Sequence, residues 1–437
     1  MKAFNLLVIF ILSAFLAGLL INFNLITLGV AVILVFLPVM FMNPSFYFVV
    51  FILTRPLMDI TASITPVKGV NLAAIATIFF VIVCGPVLLS KNNRKIISDS
   101  RFLMNFNKIF ILFLLYCFFP LYNSKELTFS LSDFPRQLSI LVAINYASVY
   151  FSQQKKKLKL LWLIVISAMV PLAFGLYQFI FKKGMPELGF NRVLGTFVHP
   201  NVYSEYLLLI FFVLFYIFSN YKIGFFLKTF CYLVFTLVIM ELFLTFTRGT
   251  WIALAASVMV FTILRSKFLQ IIKYSFFVIL VLALLFPVLQ KRFSDIEDNK
   301  PGKLSSWQWR LQQWNQTIDS LSQHPVIGNG MGMHERQFKM MAHNDYLRIA
   351  YETGLMGLLF YASILLYVLF SALKKVFQAR DRLKLNQCKI SLALILSIIT
   401  MSMVDNLARS TFIVLYFFVV IGYLMGTRTS YENPAGK

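Results

Sequence analysis

Four histidines and a set of arginines are the residues of this chain best suited to chemistry. His324, His334 and His343 lie in one hydrophilic stretch, from 291 to 354, and His199 lies in an earlier loop. The imidazole of histidine changes charge near neutral pH, so it can take up or release a proton during a reaction. The loops that carry these histidines are therefore the first places to look for a site.

The arginines of interest stand near the ends of apolar runs. They are Arg55, Arg136, Arg192, Arg248, Arg310, Arg348 and Arg409. A planar guanidinium matches phosphate oxygens with two hydrogen bonds, so several arginines around one cavity would suit a diphosphate. Charges close to membrane depth are costly and are functional by default. The alternative is that each arginine extends to the phosphate of a membrane lipid.

Other kinds of site find less support. The acids Asp59, Glu205, Asp345 and Asp405 are too scattered to define a metal site. The pair His334-Glu335 lacks the second histidine of a zinc protease motif. The glycines from Gly328 to Gly332 follow no predicted strand, so a turn explains them better than a dinucleotide loop. We therefore predict no metal and no cofactor.

The composition identifies the elements that must hold these residues. The chain has 437 residues, 59% of them hydrophobic and 13% charged, whereas soluble domains have about 25% charged residues. This excludes a soluble enzyme, a disordered chain and a collagen-like fibre. The net charge of +23 comes from short basic clusters between apolar runs. Such clusters are typical of the ends of membrane spans, and we predict no nucleic-acid partner.

Apolar runs predict an all-α polytopic membrane protein with 12–14 transmembrane helices, in a single membrane domain over 1–437. Candidate spans lie near 5–21, 25–42, 46–57, 70–90, 109–122, 137–152, 160–181, 202–219, 229–246, 250–264, 274–289, 355–373, 389–404 and 410–426. The first run could also be a signal peptide, but no small-residue cleavage site follows it. Cys84, Cys117, Cys231 and Cys388 have no metal-ligand spacing, and three of them lie in apolar runs, where a thiol behaves as a small apolar side chain. We predict no disulfide.

The distribution of Lys and Arg predicts the orientation. Basic residues exceed acidic ones most strongly in the segments that lie inside when both termini are cytoplasmic. The loops 182–201 and 290–354 are then extracytoplasmic. The later loop should contain an amphipathic helix, because one apolar face is formed by Trp307, Leu311, Trp314, Ile318 and Leu321. This helix either lies in the membrane interface or packs on the outer ends of the bundle, and in both cases it can roof a cavity.

Four motifs occur in order along the chain. They are Arg192-Val-Leu-Gly195-Thr-Phe-Val-His199-Pro-Asn201, then Thr247-Arg248-Gly249-Thr250-Trp251, then His324-Pro-Val-Ile-Gly328-Asn-Gly330, and finally His343-Asn344 followed by Gly354 and Gly357. With the many spans and the large late loop, they resemble the O-antigen ligase and polymerase family of bacterial polysaccharide assembly. The resemblance extends over roughly 40–425, and the spacing after His343 is its most specific feature.

The resemblance implies a metal-independent, inverting glycosyltransferase at the outer face of the bacterial cytoplasmic membrane. Its donor would be a glycan on a polyprenyl (undecaprenyl) diphosphate. Its acceptor would be a sugar hydroxyl on a lipid core, a growing polysaccharide or another glycan. The family usually has about twelve spans. Within it, ligases transfer a finished chain and polymerases join repeat units, and the sequence does not distinguish the two.

The resemblance also assigns roles to residues. His343 would be the general base that takes the proton of the acceptor, while Arg248 and Arg192 would hold the diphosphate. Possible supporting residues are His199, Asn344, Arg136 and Arg348. The alternative for His343 is a structural cap on the following span, and His324 and His334 are expected to be surface residues of the loop.

A different class of function is a transporter or flippase of lipid-linked sugars, which would also be polytopic and lined with arginines. Such proteins are built from paired halves with charges inside the membrane in both. The unusual residues of this chain instead concentrate in the predicted outer loops. This distribution favours the glycosyltransferase.

Overall fold

The computed structural model describes residues 42–61, 72–151, 154–187, 190–264 and 306–426. Over these residues the protein is a bundle of α-helices with one two-stranded hairpin. Seven helical segments are long and apolar enough to cross a membrane. The prediction of an all-α polytopic membrane protein is therefore confirmed.

The helices of the first part of the chain are α1 (Pro44–Thr54), α2 (Leu72–Cys84), α3 (Lys91–Asp99), α4 (Arg101–Tyr116), α5 (Leu127–Tyr150), α6 (Gln154–Ser167) and α7 (Met169–Ile180). Strands β1 (Met185–Glu187) and β2 (Phe190–Arg192) then pair antiparallel. The later helices are α8 (Pro200–Asn220), α9 (Phe225–Leu244), α10 (Arg248–Ile263), α11 (Ser306–Leu321), α12 (Met333–Phe338), α13 (Asp345–Gln378), α14 (Arg382–Val404) and α15 (Thr411–Gly426). Short 3₁₀ helices cover Arg55–Thr61, Pro86–Leu89 and Phe119–Asn123.

Each candidate span within the described residues coincides with a helix. The candidates 5–21 and 274–289, and nearly all of 25–42, lie outside the described residues, so the total of 12–14 spans stays a prediction. Within the predicted loop 290–354, α13 begins at Asp345 and is kinked at Gly354. All four cysteines are buried and free, as expected of small apolar residues.

The centre of the bundle is formed by α5, α8, α14 and α15, which pack along one another. Aromatic rings fill this core, and the ring centroids of Tyr206 and Tyr416 lie 6.0 Å apart. A second group joins α10 and α13 to α14. Ser257 on α10 donates a hydrogen bond of 2.9 Å to the carbonyl of Ala393 on α14. Hydroxyl groups thus satisfy each other and the backbone where lipid or packed apolar residues exclude water.

Two of the motifs meet where α13 is kinked. Gly354 has φ +72°, and a Cβ on it would lie 2.0 Å from the carbonyl oxygen of Val326. The loop of the third motif fills this place, because the backbone N–H groups of Asn329 and Gly330 donate to carbonyls of α13 at 2.9 Å. Only glycine combines that backbone conformation with so close an approach. This junction anchors the loop that leads to α12 and His343.

The predicted amphipathic helix is α11, but it presents a different side to the protein. Gln313 and Thr317 are buried, while Leu311 and Ile318 remain 39% and 49% exposed. The Trp314 indole donates a hydrogen bond of 2.8 Å to the carbonyl of Ala342. The helix therefore covers the end of the bundle with a mixed face and leaves part of its apolar face outward, as expected of a helix at a membrane surface.

Candidate functional site

Two adjacent cavities open at the end of the bundle that α11 covers. The smaller cavity has a volume of about 290 Å³ and the larger cavity about 530 Å³. Four residues line both of them: His199, Asn201, His343 and Asp405. These residues form a partition, and a group on it can act on molecules bound on either side.

His343 occupies this partition in an unusual backbone conformation. Its φ is +47°, a region in which histidine is enriched among residues other than glycine. Its backbone N–H donates to Oδ1 of Asn406 at 3.0 Å, and its Nδ1 lies 3.4 Å from Oδ1 of Asp405. The ring of Trp309 is 5.6 Å away, edge to face. These contacts fix the imidazole from three sides, and such local strain is typical of functional positions.

The cap of α13 is Asn344, and not His343. The Asn344 side chain accepts a hydrogen bond of 3.1 Å from the backbone N–H of Leu347. Since the side chain of Asn344 caps the first turn of α13, the imidazole of His343 is not needed as a cap. The capping alternative for His343 therefore does not describe this structure.

Asp405 and His199, which also line both cavities, differ in the charge state that their surroundings favour. Burial raises the pKa of Asp405, but the hydrogen bonds to His343 and to the backbone of Asn406, together with the charges of His343 and Arg310, lower this pKa overall. Burial, followed by the charge of Arg192, lowers the pKa of His199. His199 is also the N-cap of α8, because its Nδ1 accepts the backbone N–H of Asn201 at 3.1 Å. Asp405 is thus an anion beside His343, and His199 is a neutral cap.

Three arginines, Arg192, Arg248 and Arg310, line the smaller cavity, and the only carboxylates among its described lining are Glu187 and Asp405. Arg248 opens α10, whose second residue, Gly249, would carry a Cβ only 2.6 Å from the side chain of Val404. The glycine allows α10 to begin against the end of α14. Arg248 and Asp405 thereby line the same cavity.

Arg192 is the most constrained of these arginines. Its Nε donates to the carbonyl of Thr245 at 2.7 Å and its Nη2 to Asn201 at 2.8 Å. Its Nη1 is bonded to Glu187, and Nη2 also reaches Thr247 at 3.2 Å. The guanidinium therefore ties the β-hairpin to the starts of α8 and α10. This arrangement positions the wall of the smaller cavity.

The larger cavity also has three arginines, but each is paired with a carboxylate. Arg55 lies 3.1 Å from Asp59, and Arg136 lies 2.7 Å from Asp133. Arg409 reaches Asp133 at 3.0 Å and Glu335 at 2.8 Å. Burial lowers the pKa of Arg409, but the charges of Asp133 and Glu335 outweigh burial and raise it. Four carboxyl groups, those of Asp59, Glu205, Glu335 and Asp405, line this cavity, so it is less cationic than the smaller one.

Most of the predicted site residues are brought together, and two are not. Five of them line at least one of the two cavities: His343, His199, Arg248, Arg192 and Arg136. Arg348 is outside the described lining of both, since it is buried in ion pairs with Asp345 and Glu352 at 3.2 and 2.9 Å. Asn344 is outside the described lining of both cavities as well, and it is the N-cap of α13.

The two remaining histidines of the late loop differ from each other. His324 is exposed, as expected. His334 is 1% exposed, so its prediction as a surface residue was wrong. Its Nε2 lies 3.0 Å from the hydroxyl of Thr317, and its ring packs on Phe338 and Tyr351 at 4.8 and 5.3 Å. His334 therefore fastens α11 to α12 and α13.

Sequence reasoning missed two residues of the partition and its surroundings. Asp405 has no predicted role because the acids are far apart in the chain, although it directly follows a predicted outward-ending span. Trp309 has none because the apolar face of the helix is formed by Trp307 and Leu311, whereas Arg310 is one of the arginines that the sequence singles out. The signal for Asp405 is its position, at the same outer level as His343.

Comparison with known proteins agrees with the motifs. Residues 231–362 match the O-antigen ligase family. The resemblance inferred from the sequence is confirmed over this segment, which contains Arg248, the third motif and His343. No curated protein matches the chain. The match supports a multi-pass bacterial membrane protein with a glycan-transferring activity of the O-antigen ligase or polymerase type.

Proposed function

We propose that the protein transfers a glycan from a polyprenyl diphosphate to a sugar hydroxyl, without a metal, at the outer face of the bacterial cytoplasmic membrane. The observation that carries this proposal is the position of His343 on the partition between the two cavities. A base must touch the acceptor, and the anomeric carbon of the donor must lie within reach of that acceptor. A partition shared by two cavities meets both requirements.

His343 acts as the general base in this proposal. A proton on Nδ1 is directed to Asp405, 3.4 Å away, so Nε2 keeps the lone pair that accepts the proton of the acceptor hydroxyl. The acceptor oxygen forms a bond to the anomeric carbon while the bond from that carbon to the diphosphate oxygen breaks. Attack from the side opposite the leaving group inverts the anomeric centre. The anion of Asp405 stabilises the imidazolium that forms.

The smaller cavity holds the diphosphate. Its arginines outnumber its carboxylates, so an anionic leaving group is favoured there over the larger cavity. Arg248, and Arg310 beside it, balance the charge that develops on the leaving oxygen. Arg192 contributes by positioning the wall, since its donors are already engaged with protein acceptors. Membrane lipid surrounds the apolar tail of the donor.

The proposed reaction uses no metal ion. No three His, Cys, Asp or Glu side chains in the described parts of the chain gather to hold a metal ion. Arginines and a histidine can supply the charge and the base that a metal would otherwise provide. Activity is expected to persist in a metal chelator.

The orientation can be tested with single cysteines, because the four native cysteines are buried. Ser322, just after α11, and Ser98, on α3, are both exposed. Ser322→Cys should react with a membrane-impermeant thiol reagent on intact cells, and Ser98→Cys should react only after the membrane is opened. The opposite pattern would place the site on the cytoplasmic side and contradict the proposal.

The activity itself is tested with the lipid-linked glycan that accumulates in cells lacking the protein. Purified protein in lipid nanodiscs should convert it to longer or transferred glycan and release undecaprenyl diphosphate. A ladder of lengths would indicate a polymerase, and transfer to a separate acceptor would indicate a ligase. Unchanged glycan with the parent protein would contradict the proposal and support a transporter.

A further inference from the structure

The larger cavity contains three buried polar atoms that have no hydrogen-bond partner among the described residues. They are Oε2 of Glu205, Nδ2 of Asn406 and Nε of Arg55. Their residues are 2%, 6% and 8% exposed, and all three line this cavity. A buried polar group without a partner is costly, because it has lost its hydrogen bonds to water without replacement. Such groups gathered in one cavity point to a ligand that supplies the missing partners.

The three atoms differ in hydrogen-bonding character. The carboxyl group of Glu205 can accept and, when protonated, also donate, whereas the amide of Asn406 and the Nε–H of Arg55 donate. A hydroxyl group is both a donor and an acceptor, so a polyhydroxylated molecule can satisfy all three at once in either state of Glu205. A phosphate would face the carboxylates of Asp59, Glu335 and Asp405 in the same cavity, where the arginines are already paired. The combination fits an uncharged sugar.

The position of the atoms relates this sugar to the reaction. The Oδ1 of Asn406 holds the backbone N–H of His343 at 3.0 Å, so its unpartnered Nδ2 lies on a residue in direct contact with the proposed base. Glu205 lies on α8, less than two helical turns after His199 of the partition. A sugar ring held by Glu205 and Asn406 can present another hydroxyl to His343.

We propose that the larger cavity is the acceptor subsite for an uncharged sugar, with Glu205 as a specificity-determining residue that binds a sugar hydroxyl. The proposal rests on the proposed glycosyltransferase function and adds to it the side of the partition on which the acceptor binds. It also explains why the arginines of this cavity are paired with carboxylates: they shape the pocket without making it a phosphate site.

The test separates sugar binding from protein stability. In Glu205→Leu, an unpartnered buried carboxyl becomes apolar, so thermal stability should be equal to or higher than that of the parent. Binding of a neutral sugar should nevertheless weaken by about tenfold or more, since a hydrogen bond to the carboxyl is lost. Glu205→Gln, which keeps the shape and one acceptor, should weaken binding less.

The matched control is Glu241→Gln. Glu241 is also fully buried and also has one carboxyl oxygen without a partner among the described residues, but it lies on α9, outside the described lining of both cavities, bonded to Tyr203. The probes are methyl glycosides of glucose, galactose and N-acetylglucosamine, with methyl glucuronide as the anionic comparison. Ligand-detected NMR on the protein in nanodiscs gives the affinities.

At least one neutral glycoside should bind the parent and the Glu241→Gln protein equally, bind Glu205→Leu about tenfold or more weakly, and bind better than methyl glucuronide. Parental affinity in Glu205→Leu, equal loss in Glu241→Gln, or preference for the glucuronide would overturn the acceptor subsite. The transfer assay distinguishes the two proposals. A parent that binds glycosides but transfers no glycan contradicts only the proposed function, whereas normal transfer with an unchanged acceptor KM in Glu205→Leu contradicts only the subsite.

Discussion

The two cavities contain the same number of arginines and differ in what surrounds them. In the smaller cavity, three arginines face two carboxylates, one of which belongs to the shared partition. In the larger cavity, three arginines face four carboxyl groups, and ion pairs of 2.7–3.1 Å hold each of the cations. The difference indicates that a cluster of arginines is not by itself a phosphate site, since the local balance of charge decides what can bind.

The comparison also explains why the proposed general base, His343, belongs to neither cavity alone. In the proposed reaction, an imidazole within the smaller cavity would be kept protonated by the charge of the diphosphate, and an imidazole deep in the larger cavity would not reach the anomeric carbon. His343 is instead held between the cavities by contacts with Asp405, Asn406 and Trp309. The two sides should therefore respond separately to substitution.

The largest effect is expected for His343→Ala. General base catalysis contributes typically 10²–10⁴-fold, so glycan transfer should fall by about that factor. Affinity for undecaprenyl diphosphate and for methyl glycosides should both stay near parental values, because the partition touches each ligand without holding it. Single-turnover transfer rates and the two affinities, measured on the same nanodisc preparation, check this.

The control for backbone effects is His343→Asn. Asparagine tolerates the left-handed conformation that His343 adopts, but its amide is a poor base. This variant should therefore accumulate like the parent and transfer as little glycan as His343→Ala. Near-parental turnover in His343→Asn would eliminate the general-base role.

A smaller effect is expected for the arginines, and it should separate the two cavities. Arg248→Lys keeps the charge but loses the fork of donors, so affinity for undecaprenyl diphosphate should fall by roughly 10–100-fold, equivalent to about 1.5–3 kcal/mol. Arg136→Lys should leave that affinity within about twofold, because Arg136 lines only the larger cavity and is paired with Asp133. Equal losses in the two variants would show that the donor extends across the partition.

The sequence predicted the parts of this site that local motifs encode. Arg248 and His343 carry short signatures whose reason is visible in the fold: Gly249 allows α10 to approach Val404, and Gly354 allows α13 to accept the neighbouring loop. The apolar runs predicted the helices because length and hydrophobicity alone determine a span. These features depend on residues that are close in sequence.

The balance of charge in each cavity could not be read in the same way. Asp59 lies in the 3₁₀ helix Arg55–Thr61, Glu205 on α8 and Asp405 at the end of α14, and only the tertiary fold brings these distant segments to one cavity. Arg348 was expected at the site, yet it is surrounded by Asp345 and Glu352 at helical spacings of three and four. That spacing was a signal of an ion-paired structural arginine.

The smallest expected effect concerns the roof of the smaller cavity. Burial, with the charge of Arg348, lowers the pKa of His334 to about 4, against 6.5 in the unfolded chain. Between these values the unfolded chain binds a proton that the folded protein does not, so stability should be constant above pH 6.5 and should fall as the pH decreases toward 4. The loss is about 1.4 kcal/mol for each pH unit in this window, or roughly 2 kcal/mol at pH 5. Thermal unfolding of the protein in detergent between pH 7 and pH 5 measures it.

The same titration should affect the two cavities unequally. His334 holds α11 through Thr317, and α11 supplies Trp309 and Arg310 to the smaller cavity but no described residue to the lining of the larger one. Affinity for undecaprenyl diphosphate should therefore fall more between pH 7 and pH 5 than affinity for a neutral glycoside. His334→Gln, which keeps a hydrogen-bonding side chain for Thr317, should flatten both the stability curve and the loss of diphosphate affinity, whereas substitution of the exposed His324 by Gln should change neither. If His334→Gln leaves both pH dependences as in the parent, His334 does not control the roof, and the acid sensitivity has to be assigned to groups within the cavities themselves.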